Sequence, residues 1–192
     1  MAILSIKTYP EEVLKAVAKP VKTVTEELKI LAANMLETMY AAPGIGLAAP
    51  QVGSSVRLIV IDTRWRGDDG EVDIESMTEL ERAVKFPLRL FNPVILKKEG
   101  KTSFEEGCLS VPGFVETVHR ANYIEMEALT DENKKINIKT DGLLAICLQH
   151  EIDHLEGKLF IDRLSTVKRA LIKSKIKKYG YSANEELKHH IL

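Results

Sequence analysis

The 192-residue chain is poor in cysteine, with only Cys108 and Cys147. Two thiols cannot build a disulfide scaffold, so a reducing compartment is expected, with thiols free to meet a metal. Nor is there a surplus of charge. Lys+Arg number 27 and Asp+Glu 28, a net charge of -1, which gives no global polyelectrolyte signal for DNA. No apolar run approaches the roughly 20 residues that span a bilayer, so no membrane partner is expected. The N-terminus Met1-Ala2-Ile3-Leu4-Ser5-Ile6-Lys7 lacks the basic region and apolar core of a secretory signal. It also lacks an Arg/Ser-rich transit pattern, and no internal repeat is visible. What is present, 45% hydrophobic and 29% charged residues, suits one compact domain. A soluble cytoplasmic protein is the expectation.

Local signals divide the chain. Pro10–Lys15 predicts a short helix, with proline in its first turn and acids at its positive end. Thr23-Val24-Thr25-Glu26 fits a capping box. Leu28, Leu31, Met35 and Met39 then recur on one helical face as core, until Pro43-Gly44 stops the helix. Gly44–Gly53 is glycine-rich without the Gly-Lys-Ser/Thr ending of a phosphate loop. It fits a simple connection or a place where backbone closely approaches a ligand. Val56–Asp62 predicts a strand. Residues 63–85, dominated by charge and containing Trp65, predict a solvated, mobile excursion with one helical turn at 77–84. Leu88–Phe91 and Val94–Lys97 predict strands interrupted by Asn92-Pro93, at an edge or a bulge. Phe114–His119, Tyr123–Ala128 and Lys135–Lys139 predict an antiparallel meander. Asp141 and Gly157 bracket a helix of about four turns. Ser165 caps a last helix ended by Gly180. Its Val167, Leu171 and Ile172 are expected inside; Lys168, Arg169, Lys173, Lys175, Lys177 and Lys178 face out. The tail 181–192 is expected to be loosely held. A catalytic domain over 1–164 thus carries a charged insertion at about 63–85 and is followed by a basic helix and tail over 165–192.

The densest chemistry is Gln149-His150-Glu151-Ile152-Asp153-His154. Residues four apart share a helix face, so His150 and His154 can point at one metal ion. Glu151 lies about 100° round the helix, beside such an ion rather than on it. Two imidazoles, a flanking base and an open position make a water-activating site. The run Leu143–Leu148 before it is apolar all round, which marks a buried helix, and buried histidines need partners. A third ligand is expected. In the extended metallopeptidase pattern its position falls on Phe160. Downstream acids appear only at Glu185 and Glu186. Cysteine is what remains. Cys108, in Glu106-Gly107-Cys108-Leu109-Ser110, would close a tetrahedron from another segment. Cys147, three residues before His150, would crowd three ligands onto one helix, and its simpler role is a small buried side chain. Cys108 is favoured. A Cys/His/His set suits Fe2+ or Zn2+ and not Mg2+ or Ca2+.

Three segments, Gly44-Ile45-Gly46-Leu47-Ala48-Ala49-Pro50-Gln51, Glu106-Gly107-Cys108-Leu109-Ser110 and Gln149–His154, resemble the motifs of the peptide deformylases in order and spacing. The resemblance implies an α+β fold with antiparallel sheets around a central metal-binding helix. It implies removal of the formyl group from the N-terminal formylmethionine of newly made chains. Carried over by position, Cys108, His150 and His154 are implied metal ligands of one divalent ion, Fe2+ or another transition metal. Glu151 is implied as general base and acid, and Gln51 and the Leu109 N–H as oxyanion donors. Ile45, Gly46 and Gly107 are implied to bond the substrate backbone, and Ile45, Ile146 and Cys147 to wall the methionine pocket. The stretch 63–85 is longer than the family's usual and touches no motif. The basic last helix is either a solvated face or, since the substrate is a nascent chain, a contact with ribosomal RNA. Two other readings stay open: a metallopeptidase cutting internal bonds, and a non-catalytic ribosome-associated module with a structural metal bound by both cysteines.

Overall fold

The computed structural model describes residues 2–64 and 73–181. The expectations for Trp65 and for 182–192 fall outside these residues. After a 3-10 turn at Glu12–Lys15 come α1 (Glu26–Ala41), β1 (Gly46–Ala48) and β2 (Leu58–Ile61). Then follow α2 (Glu79–Arg82), β3 (Leu88–Glu99), β4 (Thr102–Glu106) and β5 (Glu116–Arg120). The described chain ends with β6 (Tyr123–Leu129), β7 (Lys135–Thr140), α3 (Gly142–Leu155) and α4 (Thr166–Tyr179). An antiparallel sheet runs β1-β2-β3-β6-β7, and β4 and β5 form a separate pair. This is the expected α+β class.

The sheet is ordered by side-chain alternation. In β6 the residues Ile124, Met126 and Ala128 turn inward and their neighbours outward, as a strand with one buried face requires. In β2 all four residues are buried. Ile59 and Ile61 pack with α3, while Leu58 and Val60 pack with Met35 and Met39 of α1. Helix α3 carries Leu144–Leu148 as an unbroken buried run. Burial contributes about 1.5–3 kcal/mol for each large aliphatic side chain. The helix therefore lies inside, between the five-stranded sheet and the β4–β5 pair.

Several local expectations are corrected. Thr25, not Thr23, is the N-cap of α1, and it makes no side-chain cap bond. Asn92-Pro93 does not split a strand or mark an edge; of the two expected placements it is the bulge that fits. β3 runs through it at the sheet's centre, with a register shift between Phe91 and Val94. Asn92 stands at φ 49° and exchanges two hydrogen bonds with the Val21 backbone. β5 leaves the expected meander to pair with β4, so only β6 and β7 remain a hairpin. On α4, Val167 and Leu171 face solvent at 69% and 58% exposure; Ile172 and Ile176 face the core. The helix is rotated because Ile176, one turn beyond Ile172, completes the buried stripe.

The largest correction concerns the charged stretch. Its described second half is mostly exposed, as expected, but Met77 and Glu81 are buried. Val84 and Phe86 pack against the core that contains α3. Glu81 is buried and caps two helices at once. One carboxylate oxygen accepts the Thr78 N–H of its own α2 at 2.8 Å, and the other accepts the Leu144 N–H of α3 at 2.8 Å. Asp141, expected to cap α3, is its N-cap residue but makes no side-chain cap bond. Instead Asp141 Oδ1 accepts the Thr78 hydroxyl. The stretch therefore holds the N-terminus of the helix that carries the histidines, several residues before the motif itself. The carboxylate also meets the positive end of the α3 dipole.

Replacing Glu81 with Ala should therefore lower the unfolding free energy by about 2 kcal/mol, the upper range for losing a helix cap. Glu81→Gln should recover part, because the amide oxygen still accepts one bond. Urea unfolding checks this; an unchanged midpoint for Glu81→Ala would contradict it.

Candidate active site

In the last two turns of α3 and just past the end of β4, Cys108, His150 and His154 come together, all buried. Their ligand atoms lie within 4.8 Å of one another. Cys108 Sγ is 3.3 Å from His154 Nε2. A tetrahedral ion with sulfur at ~2.3 Å and nitrogen at ~2.0–2.1 Å sets its donors about 3.6 Å apart. The donors present thus fit one small ion. Cys147 is not among the donors. Its thiol donates toward the Ile45 carbonyl at 3.8 Å, and burial raises its pKa well above the ordinary thiol value. A closed site using both cysteines is therefore not what the described residues assemble. Phe160, at the metallopeptidase third-ligand position, stacks on the His150 ring at 6.4 Å.

The electrostatics point to a missing positive charge. Burial drives the Cys108 thiol far above its ordinary range, with the Glu151 charge adding to the effect. Burial likewise raises Glu151, helped by Glu106, and lowers His154, helped by His150. Burial thus works against charge on the thiol, on the acid and on His154 alike. His150 Nε2, His154 Nδ1 and both Glu151 oxygens are buried with no hydrogen-bond partner among the described residues. Unpartnered buried polar atoms are costly. A cation among them would accept the thiolate and a nitrogen lone pair and offset the charge of Glu151.

The remaining candidates surround this centre. Gln51 is buried. Its Oε1 accepts the Ala48 N–H at 2.8 Å, and its Nε2 lies 3.2 Å from Ser110 Oγ and 3.6 Å from Cys108 Sγ. Leu109 and Gly107 flank Cys108 in the same loop. Gly46 runs directly over α3: a Cβ there would stand 2.5 Å from Glu151 Oε1 and 2.8 Å from Cys147 Sγ. Only glycine allows this approach. The Ile45 carbonyl accepts the Asp62 N–H at 2.9 Å. The alternation of a strand then turns the Gly46 N–H and C=O away from β2, toward the free side of the sheet's edge strand. Ile45 and Ile146 join Cys147 in one apolar cluster.

Sequence reading assigned no role to Glu106, Arg120, Asp153 or Arg163. Glu106 Oε2 takes the His150 Nδ1–H at 2.8 Å. Arg120 forks onto Glu106 at 2.7 Å twice and onto Asp153 at 2.5 Å. Glu106 was visible as a neighbour of the cysteine motif. Arg120 lies 14 residues from Glu106 and 33 from Asp153, and no periodicity links such positions.

An α+β frame closed on one buried Cys/His/His donor set, with a buried glutamate beside it, defines a metal-dependent hydrolase. A family model described as polypeptide deformylase matches residues 3–170. A peptide deformylase from Neisseria meningitidis is 47% identical over 178 residues, 93% of this chain and 96% of that protein. A solved peptide deformylase from Legionella pneumophila shares 45% identity with a TM-score of 0.78, covering 93% of this chain and 95% of its own. One from Ehrlichia chaffeensis shares 37% with a TM-score of 0.80, covering 92% and 96%. The chain belongs to the polypeptide deformylase family.

Burial alone would raise Glu106 and Asp153, but hydrogen bonds from Arg120, with His150 at Glu106 and Arg163 at Asp153, hold both below their usual carboxylate values. In the unfolded chain both bind protons at higher pH. Their contribution to stability is therefore complete above about pH 5 and is lost as pH falls through their lowered folded values. Glu151, raised by folding, acts in the opposite sense. Urea midpoints of the metal-free protein should drop steeply across that acid window. A flat midpoint would contradict a buried, ionised network.

Proposed function

We propose that this chain hydrolyses the formyl group from the N-terminal formylmethionine of newly synthesised polypeptides, releasing formate. The observation that carries this reading is the buried donor set, Cys108 Sγ with His154 Nε2 at 3.3 Å and the unpartnered His150 Nε2, beside the unpartnered carboxylate of Glu151. Cys108, His150 and His154 hold one divalent ion; Fe2+ is our choice, with Zn2+ or another transition metal also fitting the donors. Such an ion supplies Lewis acidity and brings the pKa of water toward neutrality.

The protein's own groups do the rest. Gly46, at the sheet edge, offers its backbone to an extended peptide, which adds as a further strand; Ile45 and Gly107 complete those contacts. Ile45, Ile146 and Cys147 receive the methionine side chain. Glu151 takes a proton from the attacking water and returns it to the leaving amine. Gln51 Nε2 and the Leu109 N–H stabilise the developing oxyanion, where one such donor is worth about 3–4 kcal/mol of barrier. A passage narrowed by Gly46 and Gly107 admits formyl and excludes larger acyl groups. Residues 1–164 form the catalytic domain, and α4 with its tail is appended to it.

Cys108→Ser should lose the metal. Cys147→Ser should keep it, and Glu151→Ala should keep it while losing at least about 100-fold in turnover. Metal analysis beside formate release from a formyl-Met peptide checks all three. Metal retained by Cys108→Ser, or full activity in Glu151→Ala, would sink the reading. Equal cleavage within an unformylated peptide would favour a peptidase.

The ribosome is the proposed docking partner of α4. Lys168 and Lys173 are paired with Glu116 and Asp162. Lys175, Lys177 and Lys178 form no ion pair among the described residues. Because Ile172 and Ile176 anchor α4 in the core, charge reversal is a cleaner probe than deletion. Reversing Lys175, Lys177 and Lys178 to Glu should weaken ribosome binding and flatten its salt dependence, leaving small-peptide turnover intact. Unchanged binding would mean a merely solvated face.

A further inference from the structure

The His150 partner Glu106 is the inner end of a ladder of alternating charge that runs to the surface. Glu106 is completely buried and Arg120 is 1% exposed; Asp153 is 8% and Arg163 35% exposed. Arg163 leaves the 3-10 turn Phe160–Arg163 that follows α3. Its Nε donates to Asp153 Oδ2 and its Nη2 to Asp153 Oδ1, both at 2.5 Å. Asp153 Oδ2 is shared with Arg120 Nη1, and Glu106 Oε2 is shared between Arg120 Nη2 and His150 Nδ1. Two planar forks thus stand end to end, each carboxylate held by three hydrogen bonds from two residues. With both acids ionised and both guanidinium groups charged, the four-residue ladder is neutral. Lys98 shares the field of Asp153 but makes no hydrogen bond to it among the described residues.

We propose that Arg163 is a positioning residue for His150: it holds Asp153 in place, so that Arg120 stays forked on Glu106 and Glu106 stays aimed at the imidazole. The inference rests on the reading of His150 as a metal ligand. The physical case is one of competition. Arg120 is the single cation between two buried carboxylates, and a buried charge short of partners recruits whatever donor it can reach. Without Arg163, Asp153 has only Arg120 and draws the guanidinium from Glu106. The Nδ1–H bond that fixes the ring and its tautomer then loosens, though Arg163 never touches the site. Asp153 also lies on α3 itself, one residue before His154, so the same fork ties the helix to the turn beyond it.

The test uses Co2+-loaded protein, with Arg163→Met, Arg163→Lys and Arg57→Gln beside the parent. Arg57 pairs with Glu156 just past the C-terminus of α3 at 2.6 Å and lies outside the ladder, so it reports general loosening. Arg163→Met should release Co2+ to a chelator about tenfold faster, the low end for partners beyond the ligands. It should also shift the visible Co2+ spectrum and lower kcat while leaving KM within about twofold. Arg163→Lys, which keeps the charge and loses the fork, should fall between. Arg57→Gln should leave release and spectrum unchanged. Three results would overturn the proposal. One is a parent-like spectrum and release rate in Arg163→Met. Another is slower release, as a merely repelling charge would give. The last is an equal effect from Arg57→Gln. A parent that takes up no Co2+ at all would sink the metal reading along with it.

Discussion

A helix that is apolar on every side has to lie inside the molecule, and α3 takes two histidines and two acids in with it. Leu144–Leu148 fix its place between the sheets, and His150, Glu151, Asp153 and His154 follow in the next two turns, all buried. Each must find a partner in a medium where an unsatisfied charge costs several kcal/mol. The surrounding structure answers one by one. β4 supplies Glu106 to His150, β5 supplies Arg120 to Glu106 and Asp153, and the turn after α3 supplies Arg163. Glu151, His150 Nε2 and His154 Nδ1 find nothing among the described residues. The unmet requirement is for a cation, and it sits where the loop after β4 brings Cys108.

The same burial explains the attention given to the helix ends. Gly157, at φ 68°, turns the chain at the C-terminus, where a Cβ would collide with the Lys15 carbonyl. At the N-terminus Glu81 reaches across from the charged stretch to cap Leu144. The proposed catalytic centre is thus assembled from segments far apart in sequence. The edge strand β1 lies over Glu151, the β4 loop faces the histidines, and the 3-10 turn at Ala49–Val52 carries Gln51.

How much of this was legible depended on range. The helix, its two histidines, the flanking glutamate and the choice of Cys108 over Cys147 followed from local spacing and from the crowding of three ligands on one helix. The alternation in β6 was equally plain. What stayed hidden was long-range pairing. Nothing local assigns Arg120 to Glu106 and Asp153, sends β5 to β4 instead of β6, or tells that Glu81 will be buried when its neighbours are charged. Asp141 had the chemistry of a cap and was displaced by a tertiary partner. Val167 and Leu171 looked apolar enough for the core, but Ile172 and Ile176 already filled the face that α4 turns inward.

The central claim is that one thiolate and two imidazoles, and not the second thiol, take up the charge this pocket lacks. X-ray absorption at the edge of the bound metal tests it most directly. The account predicts one sulfur at about 2.3 Å and two imidazole nitrogens at about 2.0–2.1 Å, with a light atom at the open position. A shell of two sulfurs, or of none, would contradict it.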